Sequence, residues 1–277
     1  MKNEKITAKN WFEQLRSKIR DKFLSIEREF DAGFCGDFEC QNWQREGGGG
    51  QISVMYGNVF EKVGVNVSTV YGQFSESFAK EIPGADKSCG DFWASGISLV
   101  AHMSSPMVPT IHMNTRMVIT KNYWFGGGID LTPTYYNADD DLFFHAKLKN
   151  VCDRHDVDYY PKFKKWADDY FFIKHRREPR GIGGIFYDYI NTQNWDADFL
   201  FTQDVGESFL SIYPQIVKKS MKRSYAKEQK EFQLLKRGRY AEFNLVWDRG
   251  TRFGLMTAAN PQAVLMSLPP CAKWENF

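Results

Sequence analysis

Long apolar runs are missing from this chain. No stretch is long enough to span a bilayer, and Met1 to Lys5 lead into a polar amphipathic stretch with no apolar signal region. A soluble, cytoplasmic protein is expected. Cysteine is scarce: Cys35, Cys40, Cys89, Cys152 and Cys271 are odd in number and contain no Cys-x-x-Cys pair. That suggests neither a disulfide framework nor a zinc or iron–sulfur site. There is no G-x-G-x-x-G and no Walker A sequence, and Gly181-Ile182-Gly183-Gly184 misses the dinucleotide spacing. A redox enzyme built on this chain would therefore work without flavin, nicotinamide or cluster. Excess charge is absent too: a formal net charge of +2 supplies no global field for nucleic acid or an acidic membrane. The basic stretch from Lys218 to Arg239 is interrupted by Glu228 and Glu231, which fits a solvated helix face. No nucleophile elbow or Ser/His/Asp signature occurs. The five histidines, at 102, 112, 145, 155 and 175, contain no H-x-H or H-x-x-x-H pair, so spacing alone makes no metal site.

What the chain does have is aromatic surface, at 16% of 277 residues, suited to an extended apolar pocket as well as to a core. No Pro/Ser-rich linker or internal repeat divides it. The run Trp124-Phe125-Gly126-Gly127-Gly128-Ile129-Asp130-Leu131-Thr132-Pro133 places three residues without side chains between aromatics and one acid. Glycine in a strand gives up packing and backbone entropy for a bulge, a bend or a close approach. Two readings stay open: a bulged strand before a Thr-Pro turn, or a floor for a large flat ligand with the Asp130 carboxylate at its end.

Phe12, Leu15, Ile19, Phe23, Ile26 and Phe30 recur at helical spacing and predict an amphipathic helix. After Gly47 to Gly50 the period becomes two. Ile52, Val54, Val63, Val65 and Val67 predict a hairpin with its turn at Gly57-Asn58. Strands are also expected over 97–103, 111–120, 123–131 and 240–247. Asp139 is expected to cap a helix through His145, and Pro161 to start one reaching His175. Two more helices are expected over 196–219 and 224–236, the second ended by Gly238. Segregated helices and short strand connections give the α+β class.

Alternation places His112, Asn114 and Arg116 on one face of a strand, with Ile111, Met113 and Met117 on the other. Ser98 and His102 share the same relation, as do Glu242, Asn244 and Asp248 on the strand expected at Tyr240. An exposed sheet face, which is ordinarily polar, is the simpler explanation; a binding face is the other. Asp248-Arg249-Gly250-Thr251-Arg252 has the composition of a turn, with two arginines able to bind carboxylates bidentately.

Five motifs in this order carry a family resemblance: Trp43-Gln44-Arg45-Glu46 with Gly47 to Gly50, Trp124 to Pro133, Tyr160 to Trp166, Arg180-Gly181-Ile182-Gly183-Gly184-Ile185-Phe186, and Arg237 to Gly250. Together they resemble the oxygen-dependent coproporphyrinogen III oxidases, from about Trp11 to Trp274. The resemblance implies a single domain over 1–277 and a homodimer. Each subunit would hold a flat antiparallel sheet of about seven strands sandwiched between helices, with the substrate cleft at the sheet. It implies oxidative decarboxylation of two propionates of coproporphyrinogen III to vinyls by O2, giving protoporphyrinogen IX in heme synthesis, with no organic cofactor.

By position, the resemblance makes His112 the proton donor and gives Asp130 the pyrrole N–H groups. Ser98, Asn114, Thr115, Arg116, Ala258, Ala259 and Asn260 fall at substrate-binding positions, and Asp248 and Arg249 are further candidates. His102, His112, His145 and His175 fall at positions assigned to a divalent metal such as manganese in bacterial members. Two departures stand out. Ala258-Ala259-Asn260 replaces a Gly-Gly-Arg or Gly-Ser-Arg, removing one cation, and the chain ends before the usual C-terminal tail. Two other functions remain compatible with these features: a porphyrin carrier without turnover, and a metal-dependent oxygenase acting on another aromatic substrate.

Overall fold

The computed structural model describes residues 1–74, 79–80, 84–85, 90–256 and 260–275. Its first element is α1 (Lys2–Phe30), which buries Ala8, Trp11, Phe12, Leu15, Ile19, Phe23 and Ile26, the stripe expected from sequence. Glu27 on the same helix is fully buried. Its carboxylate accepts the backbone N–H groups of Asn58, Val59 and Phe60 at 2.8 to 3.1 Å, so the helix grips the hairpin turn at 57–60. Gly57 is required there, because a Cβ would stand 2.3 Å from Glu27 Oε1.

The strands β1 (Glu39–Arg45), β2 (Gly48–Met55), β3 (Phe60–Gln73), β4 (Asp91–Met103), β5 (Thr110–Ile119) and β6 (Tyr123–Thr132) form an antiparallel meander. The chain then leaves the sheet for α2 (Ala138–Asp153), α3 (Tyr159–Tyr170) and a small hairpin of β7 (Phe172–Ile173) with β8 (Glu178–Pro179). It returns as β9 (Gly183–Ile190), the seventh strand, antiparallel to β6. Four helices follow: α4 (Trp195–Ser220), α5 (Lys227–Val246), α6 (Arg249–Met256) and α7 (Pro261–Leu265). The α+β class and the seven-stranded antiparallel sheet are as expected, and β1 and β9 were not anticipated.

Period-two alternation divides the sheet into two unlike faces. On one, Val65, Leu99, Met113, Ile129 and Ile185 lie in a row across five strands, all buried, against α1 and α4. On the other face α5 and the segment around α7 form the cover. Lys62 Nζ donates to the Leu268 carbonyl, Asn66 Nδ2 to the Ala263 carbonyl, and Gln233 Nε2 to the Met103 carbonyl.

Several sequence expectations are corrected. Residues 240–246 are helical, the end of α5, with Trp247 as its C-cap, and not a strand. The buried positions Gln233, Arg237, Tyr240, Ala241 and Asn244 follow a period of three and four through Gly238, which therefore does not end the helix. A Cβ at Gly238 would lie 2.4 Å from the Lys273 carbonyl oxygen, so this glycine admits the C-terminal segment. The shared face proposed for Glu242, Asn244 and Asp248 falls with that strand. Asn137 caps α2 by accepting the N–H groups of Asp139 and Asp140, leaving Asp139 inside the first turn. The helix through Pro161 stops at Tyr170, so His175 sits between β7 and β8.

Candidate active site

The second face carries the predicted polar group. His112, Asn114 and Arg116 on β5 stand opposite Val100, Ser98 and Gly96 on β4, and opposite Asp130, Gly128 and Gly126 on β6. Glycines opposite Arg116 and Asp130 leave room for long side chains to cross. Gly126 serves a close approach from neighbouring side chains: a Cβ would meet Asp188 Oδ1 at 2.3 Å and Arg116 Nη2 at 3.0 Å. Gly127 does the same on the core face, where a Cβ would meet the Tyr187 hydroxyl at 2.8 Å.

One hydrogen-bonded chain runs across this face. Asp130 is 2% exposed, with one oxygen 2.7 Å from His112 Nδ1 and the other accepting from Arg180 Nη2 at 2.6 Å. His112 Nε2 is 3.3 Å from Asn114 Nδ2, Arg116 Nη1 donates to Asn114 Oδ1 at 3.0 Å, and Arg116 Nη2 donates to Asp188 Oδ2 at 2.7 Å. The donor directions are self-consistent. Because Arg116 has no acceptor, Asn114 must present its oxygen to Arg116 and its NH2 to His112 Nε2. His112 then carries its proton on Nδ1, toward Asp130. Burial alone would raise the Asp130 pKa, but the Arg180 charge and the His112 hydrogen bond hold it below the usual carboxylate value.

Arg180 is the residue that sequence reasoning quoted within a motif and left out of the site. Its guanidinium lies 4.2, 4.6 and 4.7 Å from the rings of Phe171, Tyr240 and Phe243, and Nη1 donates to Asn244 Oδ1 at 3.0 Å. Burial would lower its pKa, and Asp130 more than restores it. The available signal was an arginine directly before a glycine-rich strand start. Asp188 was also missed, since nothing in the sequence places it beside Arg116.

The remaining expected residues divide. Ser98 and Asn114 are partly exposed on the polar face. Thr115 points to the opposite face and is fully buried, so its side chain is not part of this surface. Arg249 is exposed and packs over Tyr170 at 5.3 Å and Phe186 at 5.8 Å, two rings that stack on each other. Asp248 is already engaged: Oδ1 accepts from the Tyr170 hydroxyl and Oδ2 from the Thr251 N–H at the start of α6. Asn260 caps α7 by accepting the Gln262 N–H at 2.9 Å. Ala258 and Ala259 lie outside the described residues.

The four histidines at the expected metal positions do not fit one ion. His102 is buried under the C-terminal segment, Nε2 facing the Ser267 carbonyl at 2.9 Å, and burial pushes its pKa down to about 3. His145 has both ring nitrogens engaged, with the Ile182 carbonyl and the Tyr160 hydroxyl. His175 likewise faces Glu242 and accepts from Trp247 Nε1, and His112 gives Nδ1 to Asp130, with only Nε2, 3.3 Å from Asn114 Nδ2, left to it. Among the described residues, no three His, Cys, Asp or Glu side chains are grouped to hold a metal.

Comparison with known proteins identifies the family. The sequence model of the family described as coproporphyrinogen III oxidase matches residues 7–276. The chain is similar to oxygen-dependent coproporphyrinogen-III oxidases from Rickettsia bellii (strain OSU 85-389), 55% identical over 277 residues, and Rickettsia akari (strain Hartford), 55% over 279. It is 54% identical over 280 residues to that of Rickettsia rickettsii (strain Sheila Smith). Each comparison covers 99% of this chain and 99% of the relative. With a family match along nearly its whole length and relatives identical at more than half their positions, the chain belongs to the coproporphyrinogen III oxidase family.

Proposed function

We propose that this protein converts coproporphyrinogen III to protoporphyrinogen IX, using O2 to decarboxylate two propionates to vinyls, and that the polar face of the sheet is where it does so. The observation that carries this reading is the anionic Asp130 fixed behind His112 on a face flanked by Arg116. In each step the propionate loses CO2 from one carbon and a hydrogen from its neighbour, and the vinyl double bond forms. The two electrons released reduce O2 to hydrogen peroxide.

The reduced macrocycle is electron-rich. Removal of a pyrrole N–H proton yields an anion that reduces O2 directly, and the resulting peroxide takes the propionate hydrogen. His112 is the group on this face suited to that proton. Its Nδ1–H donates to Asp130, so Nε2 is the acceptor, and Asp130 stabilises the imidazolium that forms. Asp130 itself is nearly closed off, with both oxygens engaged, so it acts through His112 and holds the ring in place. Arg116 and Arg249 hold propionates, Arg116 with the N–H groups left over from Asn114 and Asp188. No step is assigned to a metal, because the available histidines do not converge.

No helix among the described residues is long and apolar enough to cross a membrane. The reading includes a cytoplasmic homodimer. In its support, β1 forms one edge of the sheet and is mostly exposed along its length, leaving backbone groups for a second copy to pair with. Sedimentation at micromolar concentration tests the dimer.

The function is tested by mixing purified protein with coproporphyrinogen III anaerobically, then admitting air, with and without chelator. Protoporphyrin fluorescence and O2 uptake are followed together. Oxygen-dependent product that survives chelation is expected. Binding without product would support a carrier, and product abolished by chelation would return the histidines to a metal role.

A further inference from the structure

The Arg116 guanidinium lies partly exposed on the polar face of the sheet, yet it already has a carboxylate of its own. Asp188 is 8% exposed and accepts from Arg116 Nη2 at 2.7 Å. Three separate features of the chain put it there. First, β9 bulges against β6: Phe125 pairs with Ile190 and Gly127 with Tyr187, so Asp188 and Tyr189 together face Gly126. Second, Tyr189 has φ of 60°, a left-handed conformation that bulky side chains rarely adopt and that concentrates at functional sites. Third, Gly126 leaves the space in which the two charges meet. None of the three is needed simply to pair two antiparallel strands.

The pair has an electrostatic consequence. Burial would lower the Arg116 pKa, and Asp188 more than restores it. A guanidinium has five N–H donors; among the described residues one goes to Asp188 and one to Asn114, so the cation is not saturated by them. This face thus offers a propionate hydrogen bonds from a cation whose charge is already balanced.

We propose that Asp188 sets how tightly the propionate site at Arg116 holds its ligand. It makes Arg116 a releasable holder of a carboxylate, so that the substrate is oriented and the product is not retained. This rests on the function proposed above. The reaction removes two carboxylates as CO2 and leaves two propionates in place. An unbalanced Arg116 would hold any anionic porphyrin, product included, by charge alone.

Asp188→Asn keeps an acceptor and removes the charge, whereas Asp188→Glu keeps the charge. Both are compared with the native protein for affinity toward coproporphyrin III, the oxidised and inert form of the substrate, and toward protoporphyrin IX. Tryptophan fluorescence quenching at several salt concentrations reports affinity, and kcat and KM are measured with coproporphyrinogen III. Asp188→Asn is expected to bind both porphyrins about tenfold more tightly, with stronger salt dependence and product inhibition. Asp188→Glu, which keeps the charge on a side chain one methylene longer, is expected to stay closer to native than Asp188→Asn in salt dependence and product inhibition.

A folded Asp188→Asn protein with unchanged or weaker affinity, or two variants that behave alike, would overturn the proposal. The same change in an Arg116→Gln background covers the case of poor folding. Without the guanidinium, Asp188→Asn is expected to alter affinity less than about twofold, and a tenfold effect there counts against the proposal. A native protein that neither binds porphyrin nor forms product rejects the function reading and this inference together. Native turnover with unaltered binding by the variant rejects the inference alone.

Discussion

The two faces of the sheet are built from the same strands and answer to different rules. On the core face, Leu99, Met113 and Ile129 sit in one row and are all fully buried. Each contributes by the apolar area it removes from water, and a smaller side chain loses stability in proportion to the space it leaves. On the other face, Asp130, His112, Asn114, Arg116 and Asp188, with Arg180 from the segment before β9, form a single hydrogen-bonded chain. There the cost of a change lies in the partner left behind, because an unmatched buried charge is far more expensive than a small cavity. Packing tolerates graded loss; the polar chain does not.

The sharpest way to separate the faces is Asp130→Asn. It keeps an acceptor for Arg180 and removes the charge that supports an imidazolium, so turnover is expected to fall about 10²- to 10⁴-fold in a folded protein. Activity retained within a few-fold, with native near-UV circular dichroism, would remove Asp130 from the mechanism. Arg180→Ala leaves the Asp130 charge buried without its cation. A stability loss of about 3 to 5 kcal/mol by urea denaturation is expected, with turnover lost as well. A loss below about 1 kcal/mol would mean that His112 alone compensates Asp130.

Leu99→Ala tests the core face at its centre. It is expected to cost about 2 to 5 kcal/mol, with turnover per folded molecule kept within about twofold. A large turnover loss without destabilisation would show that the faces are coupled.

The smallest expected effect concerns Glu242, away from the face. Its carboxylate accepts from Arg176, His175 and Trp274, and the Arg176 hydrogen bond, ahead of that of His175, holds its pKa at about 2 against an ordinary 4.5. A lowered carboxylate contributes stability that is present above pH 4.5 and is lost as pH falls toward 2. Melting temperatures of native and Glu242→Gln protein should therefore differ near neutral pH and converge in acid. A gap that stays constant with pH would rule out an ionic role.

Period-two spacing was enough to place His112, Asn114 and Arg116 together and to set Met113 and Met117 apart from them. The same rule contradicts Thr115, whose position between Asn114 and Arg116 already assigned it to the core face. Alternation failed at Tyr240, Glu242 and Asn244, because a short run that also fits a helical repeat is decided by what it packs against. Asp248 and Asn260 were legible as polar residues near arginines or a cleft. Their engagement as helix-start acceptors depends on where α6 and α7 begin, which local sequence marks weakly.

By itself the sequence determined the strand faces, the first helix, the class of fold, and a family resemblance strong enough to predict the chemistry. These depend on spacing along one segment or on long motifs, and both survive without coordinates. Only the tertiary structure decided which charges meet. Arg180 lies fifty residues from Asp130 and Asp188 seventy-two from Arg116. The return of β9 beside β6, its bulge and the space at Gly126 bring them within hydrogen-bond distance, and no local spacing encodes a contact made by closing so long a loop.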